Sequence, residues 1–353
     1  MPAGASAYPV RVSTLPPRPE ARRRPAMTDV AKLAGVSHQT VSRVVNGAEH
    51  VREETRARVL DAMRALDYRP NAAARTLVTG RSGTLGVVSF DTTLYGPAST
   101  LYGIERAAHD AGYFITIVSL TRLDSDSVLT AVERLRLQGV DGILAIAPQE
   151  AAAAALLDLP AEVPLVAVEA GPAGAVPLVA VDQFAGAVLA TSHLLELGHR
   201  SVWHLGGPVD WLEARQRTAG WRSTLEGAGR SVPPPLTGDW SPASGYRLGR
   251  QLALDEAVTA IFVANDQMAL GVLRALHEQG REVPGEISVV GFDDIPEAEF
   301  FLPSLTTVRQ NFNELGRSSL RLLLDVMRNP AAPPAQLTVE PELIVRASTA
   351  PPA

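Results

Sequence analysis

From Gly83 onward, short apolar runs alternate with segments of helical length, and this alternation constrains the fold more than any other feature of the chain. The runs cover residues 85–90, 115–120, 142–147, 165–168, 202–205, 261–264 and 287–292; between them lie segments such as 100–111, 128–138, 184–197, 212–227 and 268–279. Continuous apolar runs suit strands buried on both faces, and repeated strand-helix-strand units build parallel sheets covered by helices. The number of such units predicts an α/β core of two doubly wound parallel-sheet lobes.

Ligands of such folds bind outside the carboxyl ends of the strands. Polar residues stand at those ends: Glu169 after one run, Asn265-Asp266 after another, Asp293-Asp294 after a third. Arg215 and Arg217 follow the Gly206-Gly207-Pro208 turn, and Trp240 sits in a Gly-Asp-Trp loop. A pocket for a neutral polyol needs fixed donors and acceptors plus an apolar face for the C–H side of a ring, and Arg, Asn, Asp and Trp supply that set. Each also has a plain alternative: an Asp after a strand often caps a helix, and a loop Trp often only packs.

At 353 residues the chain exceeds a single core, and its charge is uneven. Residues 1–81 hold 14 Lys and Arg against 7 Asp and Glu, which leaves 18 against 31 for the remainder. The basic end suits a polyanion. There, Thr28 is expected to cap a first helix with Val30, Leu33 and Ala34 inward, and Gly35 to stop it. Ser37 is expected to cap a second helix that Asn46-Gly47 ends, which is helix-turn-helix spacing. Val41, Val44 and Val45 share one face of it, leaving His38, Gln39, Ser42 and Arg43 outward as candidate base readers. A third helix over 53–66 would close the bundle with Val59, Leu60, Met63 and Leu66. Read from spacing alone, a small three-helix bundle with an ordinary solvated face is the weaker alternative. A short alanine-rich segment from Asn71 to Gly80 follows, marginal as a helix without partners.

The string Asp-Val-Ala-x-x-Ala-Gly-Val-Ser-x-x-Thr-Val-Ser-Arg-Val-Val-Asn resembles the DNA-binding signature of the LacI family. The resemblance runs from about Thr28 to Thr349, through Ala-Arg-x-Arg-x-Ala-Gly-Trp, Gly-Asp-Trp-Ser, Val-Ala-Asn-Asp-Gln-Met-Ala-Leu-Gly and Ile-Ser-Val-Val-Gly-Phe-Asp-Asp. It implies an N-terminal all-α helix-turn-helix domain and a periplasmic-binding-protein-like core. DNA contacts carry over to Thr28, Ser37, His38, Gln39, Thr40, Ser42, Arg43, Asn46 and His50. In a hinge helix, Asn71 and Ala74 join them, and Leu77 is a minor-groove wedge. Effector contacts carry over to Arg217, Asn265 and Asp293 for hydroxyls, Trp240 for the aromatic wall, and Leu94, Gly96 and Pro97 for an apolar lip. Glu169, and Gln310 with Phe312 at a crossing between lobes, complete the set.

The chain departs from the resembled pattern where Glu169 replaces a shorter carboxylate, Ile146 an amide and His38 a tyrosine beside Gln39. The expected domains are a disordered extension (1–26), the reader (27–70), the hinge (71–82), the core (83–349) and a tail (350–353). Within the core, one lobe takes 83–181 and 310–339 and the other 182–309 and 340–349. The basic extension reads either as a flexible arm or as the product of a misplaced start codon.

The resemblance implies a repressor of sugar-utilisation genes that binds a palindromic operator and is released by a sugar, a β-galactoside first. Another sugar, or a phosphorylated one, is the alternative within the family. A sugar-binding transport protein would need a signal peptide, and residues 1–26 lack an apolar core for one. An enzyme would need a catalytic motif; no Gly-x-Ser-x-Gly elbow, phosphate loop or His-Glu-x-x-His helix occurs. The absence of cysteine excludes thiolate chemistry and fits a reducing, cytoplasmic setting. No apolar run reaches the roughly 18 residues of a membrane span, and neither cofactor nor metal is expected. With no leucine heptad after Thr349, a homodimer is expected.

Overall fold

In the computed structural model the chain forms two compact units, Met1–Gly80 and Arg81–Ala353. The structure describes residues 25–45, 50–69, 76, 80–90, 92–120, 124–157, 163–170 and 176–352. Asn46, Asn71, Ala74 and Leu77, and the expected extension as far as residue 24, lie outside the described residues.

The first unit contains α1 (Met27–Ala34), α2 (His38–Val45) and α3 (Glu53–Ala65). Val30, Ala31, Ala34, Val41, Val44, Val59 and Ala62 form its core. Gly35, at φ 64°, takes the left-handed conformation that ends α1 and frees the turn into α2. Two expectations are corrected. Thr28 does not cap α1: the helix starts earlier, at Met27, and the cap residue is Ala26, whose N–H donates to Asp29 Oδ2 at 2.8 Å. Leu33 and Leu60 are exposed, at 56% and 44%. Alanines at 31 and 62 take the inward positions instead, because small side chains let three short helices approach closely.

The second unit begins with β1 (Thr84–Phe90), α4 (Tyr95–Asp110), β2 (Phe114–Leu120), α5 (Ser125–Leu137), β3 (Gly142–Ile146), α6 (Glu150–Leu157), β4 (Leu165–Val168) and β5 (Leu178–Val181). Next come α7 (Gln183–Glu196), β6 (Trp203–Gly206), α8 (Leu212–Gly227), β7 (Leu236–Thr237), α9 (Pro242–Leu252), β8 (Ala260–Val263), α10 (Asp266–Glu278), β9 (Ser288–Asp293) and β10 (Thr306–Arg309). The chain closes with α11 (Phe312–Arg328), β11 (Gln336–Val339) and β12 (Glu342–Ile344).

These strands make two six-stranded sheets, ordered β11-β5-β4-β3-β1-β2 and β12-β10-β9-β8-β6-β7. Every pairing in the first is parallel, and in the second only β10 with β12 is antiparallel. The two doubly wound lobes are therefore present. The chain passes between the sheets after β5, after β10 and after β11. The carboxyl ends of β1, β3 and β4 thus belong to one lobe and those of β6, β8 and β9 to the other. A cleft between them can draw residues from both.

The helix pair α9 and α10 packs with no room for side chains at its crossing. A Cβ added at Gly271 would overlap the Pro242 carbonyl oxygen, and one at Gly245 the Met268 carbonyl oxygen. Neither obstacle is a flexible side chain, so the helices would have to separate. Gly271→Ala should therefore destabilise the second unit by about 3 kcal/mol, the upper range for overpacking. Chemical denaturation would show a lower midpoint; an unchanged midpoint would mean that the crossing is looser than described.

Candidate functional site

The strand ends converge on one cleft. Leu94, Gly96 and Pro97 enter it from the start of α4, with Tyr95 and Thr100 beside them. Ile146 and Pro148 follow from the end of β3, and Glu169 from the residue after β4. From the other lobe come Trp211, Glu213 and Arg217 at the start of α8, Trp240 from the loop after β7, Asn265 and Gln267 after β8, and Asp293 ending β9. Gln310 and Phe312 lie on the crossing between β10 and α11. All ten residues expected to contact an effector are thus brought to a single cleft.

Three of them reach it through unusual backbone. Glu169, Trp240 and Asp293 have φ of 55°, 71° and 108°, in or near the left-handed region that L-residues enter at a cost. At a strand end such a turn re-aims the side chain, and strained residues of this kind concentrate at functional sites.

A buried hydrogen-bond network joins the lobes beneath the cleft. Gln183, the first residue of α7, donates from Nε2 to Gln310 Oε1 at 2.8 Å and more weakly to Glu169 Oε2 at 3.5 Å. Its Oε1 accepts from Arg217 Nε at 2.9 Å. Gln310 Nε2 donates to Asp293 Oδ1 at 2.6 Å. Arg217 also donates to the Ala264 carbonyl, stands 3.8 Å from Asp293, and places its guanidinium 3.8 Å above the Phe292 ring. Asn265 accepts the Met268 N–H at 2.9 Å, capping α10, and donates to the Trp240 carbonyl at 3.1 Å.

The electrostatics follow from burial. Glu169 titrates above the usual carboxylate range because it is buried and faces Glu213, only partly offset by the Val181 N–H and Arg217. Burial raises Glu213 likewise, against the pull of Arg217. Asp293 is pushed up to about 6 by burial, with Arg217 and Gln310 opposing. The cleft can hold protons near neutrality on carboxyls that ordinarily ionise.

The Asp-Asp pair divides. Asp293 faces the cleft, whereas Asp294 bonds Arg309 and Arg346, each at 2.6 Å. Asp266 is structural, accepting from Ile295 N–H at 2.9 Å and Thr307 Oγ1 at 2.6 Å. His193, His199 and His204 each bond within the second lobe: to Thr349, to Thr259 and the Ala350 carbonyl, and to the Phe262 carbonyl. Among the described residues no group of His, Asp and Glu could hold a metal ion. Also among them, no helix is long and apolar enough to cross a membrane.

Sequence reasoning did not place Tyr95, Trp211, Glu213, Gln267 or the buried Gln183. Glu213 lies four residues before Arg217 on α8, and that spacing alone put it on the same face.

In the first unit, α2 presents His38, Gln39 and Arg43 to solvent, with Ser42 partly covered. Ser37 caps the helix, its Oγ accepting the Thr40 N–H at 3.1 Å and sharing a 2.9 Å hydrogen bond with Thr40 Oγ1. Thr28 and His50 are exposed.

Comparison with known proteins agrees with this architecture. Residues 26–71 match the bacterial regulatory proteins of the lacI family, and residues 191–349 the periplasmic binding protein-like domain. The HTH-type transcriptional repressor PurR of Mannheimia succiniciproducens is 34% identical over 325 residues, which cover 91% of this chain and 97% of the relative. The lactose operon repressor of Escherichia coli is 36% identical over 315 residues, 88% of this chain and 86% of the relative. The solved lac repressor dimer, bound to operator and the anti-inducer ONPF, is similar at a TM-score of 0.83 and 34% identity, over 93% of this chain and 100% of that one. The chain therefore belongs to the LacI family of DNA-binding transcriptional repressors.

Proposed function

We propose that this repressor controls sugar-utilisation genes in the cytoplasm, binding a palindromic operator as a homodimer and releasing it when a neutral sugar, a β-galactoside first, occupies the cleft. The observation that carries this reading is the single cleft shared by Arg217, Asn265, Asp293, Trp240 and the Leu94–Pro97 lip. Residues 27–70 would read DNA, 71–82 would act as the hinge, and 83–349 would bind sugar and pair the subunits. His38, Gln39 and Arg43 are the exposed base-reading candidates on α2.

The charge balance supports a neutral ligand. A neutral ligand is indifferent to the protonation of Glu169, Glu213 and Asp293, whereas an anionic or phosphorylated effector is repelled by whichever of them is ionised beside the one guanidinium of Arg217. The second reading, a different glycoside, is favoured by Ile146, Trp211 and Glu213, which give this cleft a more apolar and more acidic wall than a plain hydroxyl site.

Calorimetric titration with lactose, allolactose, an alkyl-thiogalactoside, glucose and cellobiose should give binding to galactosides alone, abolished by Asp293→Ala. Binding of cellobiose alone would assign the second reading, and binding of none would remove the sugar. In operator titrations, the bound sugar should weaken affinity at least tenfold, a coupling of about 1.4 kcal/mol. Gln39→Ala should relax base preference by about 1–3 kcal/mol at one position of each half-site. Equal operator affinity with every candidate sugar would sink the switch.

The cleft also sets a pH dependence. A carboxyl whose folded pKa is raised binds its proton more tightly in the folded state, so its contribution to stability is present at low pH and lost as pH rises through the folded value. Burial raises Glu169 and Glu213 in this way. His204, lowered to about 4 by burial, acts oppositely, but above its ordinary value of 6.5 it is neutral in both states. Between pH 6.5 and about 8 the ligand-free melting temperature should therefore fall, and Glu169→Gln should flatten the decline. A midpoint that rises over this range would show that the cleft carboxyls are solvated.

A further inference from the structure

Most polar side chains at the heart of the cleft are committed to one another, but a neighbouring group is not. Among the described residues, the Glu213 carboxylate makes no hydrogen bond or close ion pair. The Trp240 indole N–H is buried without a partner, and the residue is only 6% exposed. Trp211, 5% exposed, stands edge-on to Trp240 with ring centroids 5.5 Å apart at 72°. An acid with free acceptor oxygens, an unpaired buried donor and an aromatic wall thus occur together.

Trp211 is held in place from the opposite lobe. The Leu212 N–H donates to the Pro148 carbonyl at 2.9 Å, the Glu150 N–H to the Asp210 carbonyl at 3.2 Å, and Arg215 pairs with Glu150 at 2.8 Å. Gln149 and Trp211 form an antiparallel bridge across the same seam. The aromatic wall is therefore fixed when the lobes are together, which is what a subsite for a rigid ring needs.

Glu213 and Arg217 lie four residues apart on α8, hence on one face and offset by about 6 Å along its axis. That step is on the scale of one pyranose ring. A ligand that satisfies both orphaned groups must bring acceptor and donor together, and a hydroxyl is both. A protonated amine would answer Glu213 but leave the indole N–H unpaired. An anion would face Glu169, Glu213 and Asp293 together.

We propose that Trp211, Glu213 and the Trp240 N–H form a second-ring subsite, one helical turn from Arg217, which selects a disaccharide-sized glycoside over a free monosaccharide. The subsite rests on the sugar reading given above. Trp211 takes the C–H face of the second ring, Glu213 accepts from its hydroxyls, and the indole N–H donates to one of them.

The full chain is titrated with matched pairs, lactose against galactose and cellobiose against glucose, as wild type, Glu213→Gln, Trp211→Ala and Trp211→Phe. The disaccharide of the recognised pair should bind at least about tenfold more tightly than its monosaccharide, the size of one net hydrogen bond. Glu213→Gln, which keeps the shape of the side chain, should remove most of that preference while changing monosaccharide affinity by less than about threefold. Trp211→Ala should do the same and Trp211→Phe should restore much of it, with melting curves confirming that each variant folds. Equal losses for both members of a pair would overturn the subsite and leave the sugar reading intact. No binding of any sugar by the folded wild type would overturn both.

Discussion

The guanidinium of Arg217 is the interaction on which the cleft depends. It is 2% exposed, and burying a cation of this kind is tolerable only when its donors are answered. Here Gln183, the Ala264 carbonyl, Asp293 and the Phe292 ring answer it. In return it is the cation that holds down the titration of Glu169, Glu213 and Asp293. Without it the two lobes would press carboxylates together across a low-dielectric gap, and closure would be opposed by the residues that line it. The parallel sheets matter to this arrangement because they deliver every participant at a strand end, within reach of one side chain on α8.

Much of this was legible in the sequence, for reasons that differ by element. The long buried strands β1, β3 and β9 carry uninterrupted apolar runs, and such a run has little alternative to a strand covered on both faces. Shorter strands escaped: β7 has two residues, and β5 four that follow a Pro/Gly-rich stretch. With β5 unseen, Gln183 had no visible position, since its place at the first crossing follows from the end of that strand. In the first unit the apolar period placed Val30, Ala34, Val41, Val44 and Val59 in the core, and it failed at two leucines. Leu33 and Leu60 look like core by residue type, yet Ala31 and Ala62 are the buried partners. Composition favours the larger apolar residue; close helix packing favours the smaller.

The cleft shows the same division. Arg217, Asn265 and Asp293 stand in recognisable strings. Trp211 and Glu213 do not, and nothing in one sequence indicates that a loop tryptophan will be pinned by hydrogen bonds from a segment some 60 residues earlier, as the Pro148–Leu212 pair does. Nor is positive φ at Glu169 or Trp240 predictable from residue type, because glycine would take it more readily. Its presence on residues that line the cleft means that the strain is held by surrounding structure: by Asn265 bonding the Trp240 carbonyl, and by Val181 and Gln183 bonding Glu169.

These links bear on how occupancy of the cleft can move anything else. Gln183 and Gln310 lie on two of the three passages between the sheets, bonded to each other at 2.8 Å. Through them a side chain of one lobe, Glu169, and two of the other, Arg217 and Asp293, meet at the segments that must turn if the lobes rotate. A ligand that donates to Asp293 competes with Gln310, one that accepts from Arg217 competes with Gln183, and one that adds a bond across the gap reinforces the network. Either way it has different free energy in open and closed arrangements, and that difference is what a conformational switch requires. The seam at Gln149 and Trp211 supplies a second constraint between the lobes. The lobes are thus joined at two places, by an amide pair at the crossings and by the backbone bridge of Gln149 with Trp211, and the cleft is lined by Gln310 of the first and Trp211 of the second.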